Sequence, residues 1–277
     1  MNYSNPKLPE DTNLSTQHPL AEFVWMLGAV AATLAAALLT IHLLLAWLLP
    51  KIDFSSEVKL AGYIENQWFN SDIEKKCQPA QARLQSLVDD LAAAQGLNPD
   101  MKLTVHLVDS PEKNAFATLG GHIFILQGLL DSIESENGLA MVLAHEIAHI
   151  KHRHPIISFG RGLVSSLIIG GLGGQGADVI ALSGTALLLS FSREQEQVSD
   201  QTAIASLQAH YGHSLGAQEF FIAIKQESIN ASRWGDFLAT HPGVTARLEN
   251  IQQSQRHHRG ALTPMPQLLQ LGCDQSE

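Results

Sequence analysis

The sequence predicts a mainly α-helical chain with a small antiparallel β-sheet, set behind one N-terminal membrane-spanning helix. Three features support this. Phe23 to Leu49 holds no formally charged residue and is dominated by Leu and Ala, and it exceeds the roughly 20 apolar residues a helix needs to cross a bilayer. Residues 102–109, KLTVHLVD, alternate with period two, and NAFATLGGHIFIL then places two short apolar runs around a Gly-Gly pair, the pattern of strands and a tight turn. Most other apolar residues, above all those from Gly138 to Lys151, recur at helical spacing.

Residues 1–22 are polar, contain Pro6, Pro9 and Pro19, and are expected to form a disordered tail. The span is assigned to residues 23–50, with Trp25 and Trp47 at its interfaces. Glu10, Asp11 and Glu22 precede it where a cleavable signal is usually basic, so an uncleaved single-pass anchor is expected. A bacterial inner membrane is the expected location. Lys7 on one side against Lys51 and Lys59 on the other is too small a bias to orient the large domain to the cytoplasm or the periplasm.

Residues 51–255 read as one domain. Val58, Ala61, Ile64 and Trp68 outline a membrane-proximal amphipathic helix over 57–70, and Pro79 opens another that carries Ala82, Leu84, Leu87, Val88 and Leu91 ahead of Gly96. In the strand region Leu103, Val105 and Leu107 share one side and His106 the other. The sheet can lend an edge to an extended chain through main-chain pairing. The candidate contact residues are Asn114, Ala115, Phe116, Ala117, Gly120 and Gly121, while His122 reads as a surface residue.

GLAMVLAHEIAHIK contains HExxH. Residues i and i+4 of a helix point the same way, so His145 and His149 can reach one metal ion while Glu146 flanks it with a carboxylate. Zinc is the expected ion, one per chain, because two imidazoles and a carboxylate form a catalytic set with one position left for water. Glu146 is then placed to take a proton from water acidified by the ion. SREQEQVSDQTAIASLQAHYG predicts a second helix with Glu196 and Asp200 at i and i+4. Glu196 can complete the set, and Asp200 can accept a hydrogen bond from the back nitrogen of a ligand imidazole. Glu194, His152, His154, His210 and His241 remain alternatives for the third ligand, although His152 and His154, in KHRHP, read as a wet, basic helix end before Pro155.

Taken in order, NAFATLGGHIFI, HEIAHIKHRH, SREQEQVSD and THPGVTARLENI resemble the M48 family of membrane-associated zinc metallopeptidases over roughly residues 60–255. The resemblance implies a zincin-like domain of the gluzincin type, with Glu196 as third zinc ligand and Asp200 supporting a histidine. It implies that Arg193 braces the site through carboxylates. It also implies that His241 lies near the metal, either stabilising the developing oxyanion or covering the idle site; on the residues alone Thr240 or His241 can equally cap the following helix. The implied activity is a zinc-dependent endopeptidase acting on misfolded or membrane-near proteins in quality control. A catalytically weak, metal-dependent chaperone or scaffold and a non-peptidase zinc hydrolase are the alternatives.

Residues 155–190 are apolar but broken by Asp178, Gln175 and glycines, and two short helices over the site are expected rather than a second crossing. Leu215 to Glu227 predicts a helix with Phe220, Phe221 and Ile224 inward. Trp234, Phe237 and Leu238 are expected near the His241 loop, and residues 256–277, with His257 and His258, as a flexible tail. The formal charge of −10, with 17 Lys plus Arg and no sustained basic run, excludes a nucleic-acid partner. The lipid bilayer and membrane-associated proteins are the expected partners besides substrate. Cys77 and Cys273 permit one disulfide without predicting it.

Overall fold

Helix α1 (Pro19–Leu48) takes up the apolar run and is the only described helix long and apolar enough to cross a membrane. It begins at Pro19 rather than near Phe23, so residues 19–22 belong to the helix and not to the tail. Proline at a helix start gives up an N–H that has no intrahelical acceptor, and Glu22 lies in the first turn, where the dipole favours an anion. The Thr33 and Thr40 hydroxyls donate to the carbonyls of Ala29 and Ala36, each at 2.8 Å, so neither needs water.

The computed structural model describes residues 18–65, 78–173, 190–227, 241–255 and 260–270. The chain forms two compact units, residues 1–44 and 45–277. In the second, α2 (Phe54–Glu65) and α3 (Gln78–Ala94) precede β1 (Thr104–Val108), β2 (Ala115–Ala117) and β3 (His122–Leu126). The helices α4 (Gln127–Leu130), α5 (Glu136–Lys151), α6 (His154–Gly173), α7 (Arg193–Tyr211), α8 (Glu219–Glu227), α9 (Val244–Gln255) and α10 (Gln267–Gln270) follow. The expectations for Trp68, Cys77, Cys273, Trp234, Phe237, Leu238, His257, His258 and the second half of the apolar insert lie outside the described residues. Its first half is a single helix, α6.

The sheet has the order β1-β3-β2. The expected antiparallel pairing is present between β2 and β3, with Phe116 opposite Phe124, but β1 pairs with β3 in parallel, with Val105 opposite Ile123, and the sheet is mixed. Residues 109–121 carry the chain past the centre to the far edge and back, a crossover long enough for a parallel pair. Val105, Leu107, Ile123 and Ile125 face the core with Leu84 and Leu91 of α3, Leu139 and Leu143 of α5 and Leu207 of α7.

Helix α5 is buried from Glu136 to Ile150, so its ends decide where the HExxH residues sit. At the N-terminus the Ser135 hydroxyl accepts from the Gly138 N–H at 3.0 Å and donates to the Glu219 carboxylate at 2.6 Å. A Cβ on Gly138 would lie 2.5 Å from that carboxylate and 2.9 Å from Ile133 Cγ2, so any other residue would push Glu219 away from Ser135. Asn137 accepts from the Thr263 N–H at 2.7 Å, and Ser135 pairs with Pro264. Residues 260–270 are therefore docked, with Met265 and Leu269 in the core, which corrects the expectation of a flexible tail. The polar composition of 256–277 concealed two apolar side chains that the helix start positions.

At the C-terminus, Arg153 adopts φ +62°, a left-handed conformation seldom taken outside glycine. Its guanidinium pairs with Glu57 of α2 at 2.9 Å and donates to the Ile52 carbonyl at 2.7 Å. This turn ends α5 and starts α6, whose early Pro155 opens a helix instead of breaking one. Glu57 is buried and also accepts from the Gly120 N–H at 3.0 Å. Burial pushes its carboxyl up, partly opposed by Arg153.

Replacing Leu269 by Ala is expected to destabilise the detergent-solubilised chain by about 2–4 kcal/mol. Thermal unfolding checks this, and an unchanged melting temperature would mean that the segment is not docked.

Candidate metal centre

Helical spacing on α5 turns the His145 and His149 rings together, and their Nε2 atoms lie 2.9 Å apart. Two imidazole nitrogens that close share either one proton or one cation. On α7 a reciprocal cap fixes the helix start: the Ser192 hydroxyl accepts from the Gln195 N–H at 3.3 Å, and the Gln195 side chain accepts from the Ser192 N–H at 2.9 Å. From that start Glu196 and Asp200 lie one turn apart and face α5. Glu196 Oε1 is 3.3 Å from His149 Nε2, and Oε2 is 3.5 Å from His145 Nε2. Asp200 Oδ1 is 3.0 Å from His145 Nδ1, on the back of that ring.

His241, fully buried, places Nδ1 3.0 Å from Glu196 Oε1 and Nε2 3.7 Å from Glu146 Oε1. One atom from each of His145, His149, Glu196 and His241 falls within 4.8 Å of the others, so the group can hold a metal ion. Its chemistry fits a divalent cation. Three buried carboxylates, those of Glu146, Glu196 and Asp200, face one buried guanidinium, Arg247. With the imidazoles neutral, as ligation requires, and all three carboxylates ionised, three negative charges less one positive leave two, which a dication balances.

Arg247 is the residue the sequence reading passed over. It donates to Asp200 through Nε at 2.7 Å and Nη2 at 2.8 Å, and its Nη1 contacts Glu196. The carboxylate contacts expected of Arg193 are made by this side chain instead: Arg193 is exposed at the first position of α7, where a charged chain gains more from water. Arg247 lay inside the THPGVTARLENI segment, and a cation in the first turn of an otherwise apolar helix face, between Val244 and Ile251, was the available signal.

Protonation follows from these contacts. Burial opposes charge on Glu196, but His241 and hydrogen bonds from His145 and His149 hold its carboxyl well below the usual range. Asp200 is likewise held low against burial, by Arg247 and His145. Burial and Arg247 oppose a proton on His145, yet Asp200 and Glu196 lift it to about 9. A carboxylate field that favours a proton there also favours a metal cation.

Glu146 is fully buried, and burial raises its carboxyl, partly offset by His241 and His145. Its Oε2 accepts from the Ala117 N–H at 2.8 Å, so β2 is tied to the centre, while Oε1 makes no hydrogen bond among the described residues. Ala115 and Ala117 are fully buried, and pairing of another chain along this edge requires a displacement. Asn114 is buried and gives its carbonyl to the Leu126 N–H at 3.1 Å. Gly120 and Gly121 are not on the strand: they form a turn at φ +78° and +88° packed under α2, so they are removed from the edge.

His154 is not at a wet helix end. It is 6% exposed, and its Nδ1 lies 3.0 Å from His149 Nδ1. Burial, reinforced by His152 and His145, lowers it to about 3. Phe191 stacks on the His149 ring with centroids 3.8 Å apart. Glu194 and His210 are exposed and stand outside the group, and His152 contacts Thr202 at 3.1 Å instead.

Several known proteases are similar to this chain in sequence. The mitochondrial metalloendopeptidase OMA1 of Schizosaccharomyces pombe is 28% identical over 181 residues, covering 63% of this chain and 53% of that protein. The beta-barrel assembly-enhancing protease of Escherichia coli is 27% identical over 168 residues, 55% of this chain and 34% of the relative. A protease HtpX homolog of Acidiphilium cryptum is 32% identical over 151 residues, 46% and 51%. The chain thus spans about half or less of the length of these relatives. The sequence pattern of peptidase family M48 matches residues 78–255, from the start of α3 to the end of α9, and so takes in both metal-facing helices, His241 and Arg247. Most of the chain lies in that match, and the protein belongs to peptidase family M48.

Proposed function

We propose that the chain is a membrane-anchored zinc endopeptidase that cleaves internal bonds of misfolded or membrane-near polypeptides. The observation that carries this reading is the convergence of four buried ligand atoms within 4.8 Å beside a general-base candidate, Glu146, whose other oxygen is fixed by the edge strand.

His145, His149 and Glu196 would hold zinc, a set that suits this ion and leaves a position open. When bound, zinc would polarise the scissile carbonyl and lower the pKa of water. Glu146 then takes the proton. Burial raises its carboxyl and so makes it a better proton acceptor, which suits a group that takes a proton and returns it to the leaving amine. Because Ala117 holds Oε2, Oε1 is the oxygen that carries the proton. His241 supplies a donor to the charge that builds on the carbonyl oxygen, and its place within the ligand group also lets it cover the centre without substrate.

An extended substrate would pair along β2 through the outward main chain of Ala115 and the carbonyl of Ala117, because the Asn114 carbonyl is taken by Leu126, Phe116 pairs with Phe124 of β3, and the Ala117 N–H is held by Glu146. This mode reads the backbone and suits unfolded chains of varied sequence. The buried edge and centre mean that binding includes an opening step. Helix α1, as a single-pass anchor, would keep the domain near the bilayer and its protein partners. The names of the metalloendopeptidase and assembly-enhancing protease relatives support proteolysis, with quality control as its proposed purpose.

The purified protein should degrade an unfolded protein and stop when a chelator removes its metal. Glu146→Gln is expected to lower turnover by about 10²–10⁴-fold with zinc content unchanged; cleavage at the wild-type rate would remove Glu146 from the mechanism. Glu196→Ala should lose bound zinc where wild type keeps it, and full occupancy would reject it as a ligand. Arg247→Leu leaves two buried carboxylates without their counter-charge, so unfolding should show a loss of about 3–5 kcal/mol; a change near zero would show that Arg247 does not neutralise them.

A further inference from the structure

The two candidate ligand imidazoles on α5 are supported from behind by different chemistry. His145 Nδ1 faces the Asp200 carboxylate at 3.0 Å. His149 Nδ1 faces another imidazole, His154 Nδ1, also at 3.0 Å. We propose that His154 is the positioning residue for His149: its Nδ1 accepts the His149 Nδ1–H and thereby leaves the His149 Nε2 lone pair for the metal. This rests on the reading of His145, His149 and Glu196 as the metal-holding set.

Only one of two facing ring nitrogens can donate, and the direction decides the chemistry. If His154 donates, the proton of neutral His149 moves to Nε2, which then has no lone pair for a cation. If His154 accepts, its own proton sits on Nε2 and His149 is set for ligation. The surroundings restrict His154 to this geometry. Arg153, at φ +62°, turns the chain so that His154 begins α6 directly behind α5. Ser199 of α7, fully buried, places its hydroxyl 3.4 Å from the same Nδ1, too long to compete with His149 at 3.0 Å for the single lone pair there. Phe191 closes one face of His149, so the ring is held by stacking and by one hydrogen bond on its edge. A neutral acceptor also has a consequence for charge. Backing both ligands with carboxylates would add a fourth buried anion to a centre that already carries three against one guanidinium, whereas an imidazole orients His149 without adding charge.

The test uses the full-length protein in detergent micelles with zinc, and with cobalt(II) as a spectroscopic substitute. Phe in place of His154 keeps a planar ring but has no acceptor, while Asn can bring its Oδ1 to the place of Nδ1. The expected result is that His154→Phe weakens zinc binding by about 10–100-fold in chelator competition and alters the cobalt absorption bands. His154→Asn should restore both toward wild type. Thermal unfolding of the metal-free proteins follows the fold separately. Wild-type affinity and spectrum in His154→Phe would overturn the proposal, as would equal weakening in both variants, which marks a packing role alone. Failure of the wild-type chain to bind either metal would instead overturn the metal-centre reading, and the proposal with it.

Discussion

The structure turns on a small group of buried charges. Glu196 and Asp200, one turn apart on α7, are shared among His145, His149, His241 and Arg247. Isolated carboxylates in such a place would be strongly disfavoured, so each oxygen that stays charged needs a cation or a donor aimed at it. Arg247 answers part of that demand through a two-pronged contact to Asp200, the geometry for which a guanidinium is suited. The imidazoles answer the rest, and their convergence on Glu196 makes the group fit a divalent cation.

Such a centre needs helices that cannot drift. Helix α5 is enclosed along nearly its whole length, and both of its ends are fastened by distant parts of the chain: Glu219 and Thr263 at the start, Arg153 with Glu57 at the end. Glu57 also holds the turn before β3 through Gly120, and β2 reaches Glu146 through Ala117. The segment just after the apolar helix, the sheet and the metal-facing helix are thereby joined by hydrogen bonds to buried carboxylates. A displacement of α2 would be felt at the edge strand.

Much of this was readable from local pattern. Helical spacing alone placed His145 with His149 and Glu196 with Asp200, and the alternation of KLTVHLVD marked β1. What escaped the sequence depends on where elements meet. The parallel pairing of β1 follows from a crossover whose path no local pattern encodes. Arg193 and Arg247 are both cations beside the right segments, and only the packing of α9 against α7 sends the second into the centre while the first stays in solvent. His154 read as a solvated terminus because Pro155 follows it; the left-handed turn at Arg153 puts it behind His149 instead. Met265 and Leu269 were hidden by polar neighbours until the start of α5 gave them a docking place.

One metal ion held by both α5 and α7 would complete this centre. Zinc-edge X-ray absorption together with anomalous diffraction from crystals of the zinc-loaded protein tests it most directly. The result predicted is one zinc per chain at His145, His149 and Glu196, with nitrogen ligands at about 2.0–2.1 Å and a carboxylate oxygen at about 2.0–2.2 Å. Zinc bound elsewhere on the chain, or a centre in which Glu196 does not ligate, would contradict it.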